Sequence, residues 1–244
     1  MKKLYYYLIL IIEKLANLAE NKFATHGLGR SLRQLRKEVG LFKLHSENLK
    51  NQKLAAQRNY NDVQVSGGSH ILVGFLNIDI QPPADLICDV REGLPLGKSS
   101  CKLIFSEHFF EHIDYPLSAK KFIEECYRVL KPGGQIILGV PDARVIIEGY
   151  YKHNLGLLEE QKERWYKNRN CLEHINTYID MVNYVFRDQD DDQKYTSHLW
   201  AYDYDKLENL FKQNGFADVK QWEFDEKIAN PKRKWGSIYV IATK

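Results

Sequence analysis

At 244 residues and 44% hydrophobic composition, the chain is long enough to bury one full α/β core with some embellishment. Lys and Arg number 35 against 32 Asp and Glu, and a net charge of +3 argues against a nucleic-acid-binding domain, which needs a strongly basic face. The cysteines Cys88, Cys101, Cys126 and Cys171 are far apart, with no CxxC and no Cys/His group at zinc spacing; this argues against a disulfide framework or structural metal and for a reducing cytoplasm.

Residues 1–50 hold ten Lys/Arg against four Asp/Glu, so the chain opens with a basic arm that suggests a surface or partner role. The run LYYYLILII at 4–12 is broken by Glu13 and Lys14. It is far short of the roughly 20 apolar residues that span a bilayer, and the charged pair does not suit a secretory cleavage site. Two readings stay open for it: a helix packed on the body or on a partner protein, and shallow attachment to the inner membrane face, favoured by the flanking basic residues. Leu28, Leu32, Leu35 and Val39 recur at helical spacing, which predicts a helical arm over 1–58 ahead of a domain over 59–244.

Between 62 and 142 the texture changes to short apolar runs, VQVS, FLNIDI, DLICDV, KLIFSE and QIILGV, separated by turns. Runs without strict alternation predict strands buried on both faces, hence a largely parallel sheet. Ala119, Phe122, Ile123, Cys126, Tyr127 and Leu130 share one helical face, and Lys131-Pro132-Gly133-Gly134 stops that helix. Residues 145–195 read as a helical insertion with DQDDDQ, 188–193, as its solvated loop; the consecutive aspartates lack the spacing and glycine of a calcium loop, and no metal is expected there. A further helix begins at the N-cap Asp203 and ends at Asn214-Gly215, and two strands near 217–224 and 237–242 close the chain.

The polar residues that could carry chemistry fall at strand ends. Ser66-Gly67-Gly68 ends the first run and Asp79, eleven residues after Gly68, ends the second. In a doubly wound sheet both lie on the carboxyl edge, where backbone amides approach a ligand and a carboxylate accepts ribose hydroxyls. Asp89 ends the third run and SEHFFEH, 106–112, the fourth.

The stretch NIDIQPPADLICDVREGLPLGKSSCKLIFSEHFFEHI, continued by EECYRVLKPGGQIILGVPD, resembles the core of class I S-adenosylmethionine-dependent methyltransferases of the type 11 kind, in a branch found among bacterial surface-polysaccharide genes. The likeness covers about 62–142, with a weaker echo in HLWAYDYDKLENLFKQNGF, 198–216. It implies a three-layer α/β/α Rossmann-like fold with a seven-stranded, mostly parallel sheet in the order 3-2-1-4-5-7-6, the last strand antiparallel and the arm outside. It implies S-adenosylmethionine as cofactor, with Ser66, Gly67 and Gly68 beside its amino-acid part, Asp79 on the ribose, Asp89 and Val90 by the adenine, and Ser106 and Glu107 on the methyl-transfer side. Two positions depart from the pattern: Ser66 stands where a first glycine is common, and Lys102 where an aspartate usually starts the fourth strand. A serine serves in the turn if its φ is negative; a positive φ costs about 1 kcal/mol or more.

Methyl transfer to a hydroxyl needs a nucleophile held in line and a group to take its proton, a role suited to histidine. His108 and His198 are the candidates, while Glu111-His112 reads as a cap or packing pair. Asp142 either orients substrate or caps the next helix. Tyr150, Tyr151, Trp165, Tyr166, Tyr178 and Tyr184 either pack the insertion on the body or form a lid that stacks on flat acceptors such as sugars. The basic NPKRKW, 230–235, is an exposed loop or a contact for an anionic substrate. The resulting expectation is a methyltransferase acting on an oxygen of a sugar or related small acceptor. The alternative is a degenerate member that keeps the fold as a scaffold and binds a partner or membrane through the arm. A nicotinamide-dependent oxidoreductase is disfavoured, because no GxGxxG follows the first strand.

Overall fold

In the computed structural model, the residues described are 7, 9–15, 17, 25–167, 172–187 and 197–244. DQDDDQ, Cys171 and most of LYYYLILII lie outside them, as does the side chain of Tyr166. Helices α1 (His26–Glu47) and α2 (Leu49–Ala55) precede the sheet. Strands β1 (Asp62–Val65), β2 (Leu76–Asp79), β3 (Leu86–Ile87) and β4 (Cys101–Glu107) lead to α3 (Leu117–Val129) and β5 (Leu130–Pro141). The insertion contributes α4 (Ala143–Tyr151), α5 (Leu155–Gln161) and α6 (Tyr178–Arg187), and α7 (Tyr204–Gln213), β6 (Ala217–Gln221) and β7 (Ser237–Thr243) end the chain. No helix among the described residues is long and apolar enough to cross a membrane.

The sheet has seven strands in the order β3-β2-β1-β4-β5-β7-β6, with β7 antiparallel to both its neighbours. This is the Rossmann-like arrangement that the resemblance implies. One face carries the main core: Ala119, Phe122, Ile123 and Cys126 of α3 and Leu207, Leu210 and Phe211 of α7 are buried against Ile104, Ile136, Leu138 and Val240. The helical spacing read in the sequence is therefore the stripe that packs. The Lys131–Gly134 element, expected to be a turn ahead of the strand, lies within β5 as a bulge opposite Cys101 and Leu103, with Gly133 in the left-handed region. The strand expected to reach 224 stops at Gln221.

The other face departs locally from the expected layering. Parallel strands are usually joined by a crossover of a dozen or more residues containing a helix. Here β1 reaches β2 through residues 66–75, and β2 reaches β3 through 80–85, with no helix in either link. Phe105, Ile137 and Tyr239 are covered instead by Leu72 and Phe75 from the first link and by Trp222, Phe224, Ile228 and Ala229 from the segment after β6. A loop that covers a core must satisfy its own backbone. Gln64 and Asn77, register partners in β1 and β2, do this: Leu72 N–H donates to Gln64 Oε1 at 2.9 Å, while Gln64 Nε2 donates to the His70 carbonyl at 2.6 Å. Asn77 Nδ2 donates to the carbonyls of Leu72 and Phe75.

Candidate functional site

The carboxyl ends of β1–β4 open onto a cavity of ≈ 440 Å³. At its β1 end, Ser66 has φ +55° and Gly68 φ +57°, so two of the three turn residues are left-handed. The negative φ that would leave a serine unstrained is not adopted; the chain accepts that local cost to turn directly out of β1. Adding a side chain at Gly67 would drive a Cβ into Gln64 at 2.5 Å, which fixes glycine there through the same Gln64 that supports the 66–75 link.

Asp79, 8% exposed, binds this turn to the end of β2. Its Oδ2 accepts from Gly68 N–H at 3.1 Å and its Oδ1 from Ile80 N–H at 2.7 Å. Ser66, Gly68, Asp79, Ile80 and Gln81 all line the cavity, as do Cys88, Asp89 and Val90 from the end of β3; Gly67 does not. Asp89 is held by Arg91 through a two-pronged pair, Nε to Oδ1 at 2.9 Å and Nη2 to Oδ2 at 2.7 Å. Burial pushes the Asp89 carboxyl up, but the hydrogen bonds and charge of Arg91 outweigh it and hold the group below its ordinary value. Burial pushes the Cys88 thiol up to about 12, so it faces the cavity as a neutral thiol.

The arm, expected outside the sheet, also reaches the cavity. Lys37, Glu38 and Leu41 of α1 form its wall beside Arg91, and the Asp89 N–H donates to His45 Nδ1 at 3.0 Å. Gln52 of α2 donates to the Ile87 carbonyl at 2.8 Å. Helix α1 falls within the stretch read as helical from Leu28, Leu32, Leu35 and Val39, but the sequence held no signal that Lys37, Glu38 and Leu41 line the cavity.

At the β4 end, Ser106 and Glu107 are buried and are not among the lining residues. Glu107 points into the β4–β7 side, where it accepts from Tyr239 Oη at 2.6 Å and Asn230 N–H at 3.2 Å and pairs with Arg233. These contacts fix the 230–233 segment, which carries Lys232 and Arg233 to the cavity rim. His108 follows with φ +51°; its N–H donates to the Gly139 carbonyl and its Nε2 lies 2.8 Å from Ser237 Oγ. Burial, then the charges of Arg233, His198 and His112, push the His108 imidazole well below its usual value. His198 reaches the same wall because Leu199 N–H donates to the Glu111 carbonyl at 2.7 Å, docking 198–200 on the turn after β4. His112, read as a packing residue, lines the cavity beside it, the two rings 4.8 Å apart.

The insertion adds Arg164, Trp165 and Tyr184, the last two stacked at 4.1 Å. Tyr184 is buried with Ile146, Leu158 and Met181, so packing and lining are both its roles. Asp142 is outside the lining: it is the N-cap of α4, its Oδ1 accepting from Arg144 N–H at 2.9 Å, and burial pushes its carboxyl up.

Residues 26–138 match the family model described as a methyltransferase domain. No curated protein matches the chain. Among solved structures, it is similar to an S-adenosylmethionine-dependent methyltransferase of Thermotoga maritima at 14% identity, covering 88% of this chain and 97% of that one with a TM-score of 0.43. It is also similar to S-adenosylmethionine-dependent methyltransferases of Archaeoglobus fulgidus (13% identity, 80% and 91% covered, TM-score 0.44) and Methanosarcina mazei (15%, 78% and 95%, 0.44).

Proposed function

We propose that this chain, which carries a class I S-adenosylmethionine-dependent methyltransferase domain, methylates an oxygen of a sugar or related small acceptor in surface-glycan or secondary metabolism. The observation that carries the reading is the continuity of one cavity from Asp79 and Asp89 at one end to Trp165, Tyr184 and His198 at the other. A donor and an acceptor can meet in it.

The residues present fit the cofactor. Asp79 uses part of its acceptor capacity on backbone N–H groups and keeps lone pairs for two ribose hydroxyls. Phe109, Ile80, Val90 and Ile113 offer apolar walls for the adenine, and nothing stands within 4 Å of where a Gly68 side chain would project, leaving room beside the turn. When bound, the cofactor supplies an electrophilic methyl carbon whose bond to sulfur breaks with the electron pair staying on sulfur.

At the far end, Trp165 and Tyr184 present aromatic surface suited to a sugar ring. Arg164, Lys232 and Arg233 favour an acceptor carrying a carboxylate or phosphate. The acceptor hydroxyl must lose its proton as its oxygen bonds to the methyl carbon, and the imidazoles of His108 and His198 are the groups at hand to take it.

The test has two stages. Calorimetry with S-adenosylhomocysteine should give micromolar binding, and labelled-methyl transfer to a panel of neutral and anionic sugars should find an acceptor. Trp165→Ala should raise the acceptor KM while leaving S-adenosylhomocysteine affinity unchanged. A folded protein that binds no S-adenosylhomocysteine would overturn the reading in favour of a scaffold using residues 1–50 as its contact surface.

A further inference from the structure

We infer that Glu111, His112 and His198 bind a single first-row divalent transition-metal ion at the acceptor end of the cavity. The Glu111 carboxylate is 1% exposed, and neither of its oxygens accepts a hydrogen bond. The imidazole nitrogens nearest it are His108 Nδ1 at 3.7 Å and His112 Nε2 at 3.8 Å, both beyond hydrogen-bonding reach. A buried carboxylate left in that state is costly, and cation coordination is one of the few ways to satisfy it.

The geometry suits an ion. Glu111, His112 and His198 each present one ligand atom, and the three lie within 4.8 Å of one another. Ligand atoms around a tetrahedral ion with bonds of about 2.0–2.1 Å stand roughly 3.3–3.4 Å apart. Side-chain rotations that bring the farthest pair about 1.5 Å closer close the difference. The backbone is already pinned for this, because Leu199 N–H holds the His198 segment to the Glu111 carbonyl. Two imidazoles and one carboxylate form a set that favours Zn²⁺, Mn²⁺ or Fe²⁺ over Mg²⁺ and Ca²⁺, which prefer oxygen ligands throughout. Three protein ligands leave coordination positions open, and His112 and His198 both face the cavity.

The role of the ion rests on the methyl-transfer reading; its binding does not. Held by the ion, the acceptor oxygen is positioned and its proton made easier to remove. His198 then serves as a ligand, and the acceptor's proton is released to solvent. The oxygen lone pair forms the bond to the methyl carbon, and the sulfur of S-adenosylmethionine keeps the pair of the bond that breaks.

The experiment uses untagged, chelator-treated full-length protein titrated with Zn²⁺ by calorimetry and with Co²⁺ by visible absorption. One equivalent should bind. Glu111→Gln and His198→Ala should each weaken binding by more than the roughly 10–100-fold that follows loss of an outer-shell partner. Circular dichroism verifies that the variants fold, and Glu111→Gln, which removes the buried charge at nearly constant shape, should be at least as stable as the metal-free parent. S-adenosylhomocysteine binding, measured in parallel, should persist in both, so failure of the cofactor site and of the metal site are separately visible. No Zn²⁺ or Co²⁺ binding by folded parent protein would overturn the inference. Equal binding by parent and variants would also overturn it and assign the ion to residues elsewhere in the chain.

Discussion

Replacing Asp79 by alanine tests the cofactor end of the cavity most directly. The carboxylate joins β1 to β2 through Gly68 N–H and Ile80 N–H, and it lines the cavity where the proposed function puts the ribose hydroxyls. A hydrogen bond to a charged group contributes about 1.5–3 kcal/mol, so losing two would cost about 3–6 kcal/mol. Water entering the vacated space recovers part of this, leaving about 3 kcal/mol, or a little over 100-fold in Kd. Asp79→Asn keeps one acceptor oxygen and should lose closer to tenfold. Both are measured by calorimetric titration with S-adenosylhomocysteine, with thermal unfolding alongside, because two backbone donors also lose their partner. A Kd for Asp79→Ala within about threefold of the parent, under about 0.7 kcal/mol, would refute the placement of the ribose at Asp79.

Ser66→Gly removes a left-handed serine that costs about 1–2 kcal/mol, while the added freedom of glycine in the unfolded chain returns about 0.4–1 kcal/mol. The net expectation is a stabilisation of about 0.5 kcal/mol, a Tm rise of about 1–2 °C in a chain of this size; a fall in Tm would contradict it. The Asp89 carboxyl is depressed by Arg91, so its contribution to stability is present above the unfolded value of 3.8 and lost as pH falls through the lower folded value. In Arg91→Ala the guanidinium's hydrogen bonds and charge are lost while burial, the backbone N–H of residue 91 and His45 remain, so the carboxyl rises from its depressed value and the stability gap between parent and variant should narrow as denaturant midpoints are followed from about pH 6 to pH 2. Parallel curves would show that the pair contributes nothing.

Much of this architecture was legible in the chain. The stripe through Ala119, Phe122, Ile123 and Cys126 is the buried face of α3, and the uninterrupted apolar runs are the buried parallel strands. The missing crossover helices could also have been read by counting: the residues between Val65 and Leu76 are too few for a helical return. What concealed this was chemistry, since Gln64 and Asn77 look out of place in buried strands until the loop they satisfy is seen. The part of the cavity after β4 was less legible. Glu111 and His112 resemble a packing pair in sequence, and His198 lies far along the chain; a backbone hydrogen bond from Leu199 to Glu111 brings them together, and no periodicity announces such a bond.

The distribution of strain supports the same edge as the working one. Ser99, His153 and Asp218 are left-handed outside the cavity lining, whereas Ser66 and His108 are left-handed where the neighbouring strands β1 and β4 end at the cavity. Each is fixed by its own backbone bond: Ser66 N–H donates to the Ile78 carbonyl at 2.7 Å and His108 N–H to the Gly139 carbonyl at 2.8 Å. The sheet thus holds both conformations through its own hydrogen bonds, and their cost is carried by the folded scaffold whatever the cavity contains. A left-handed residue at a strand end also reverses the direction in which the chain leaves the sheet. At Ser66 that reversal brings Gly68 onto Asp79, and at His108 it leads into the turn carrying Glu111 and His112. The unfavourable conformations are the ones that assemble the two halves of the cavity.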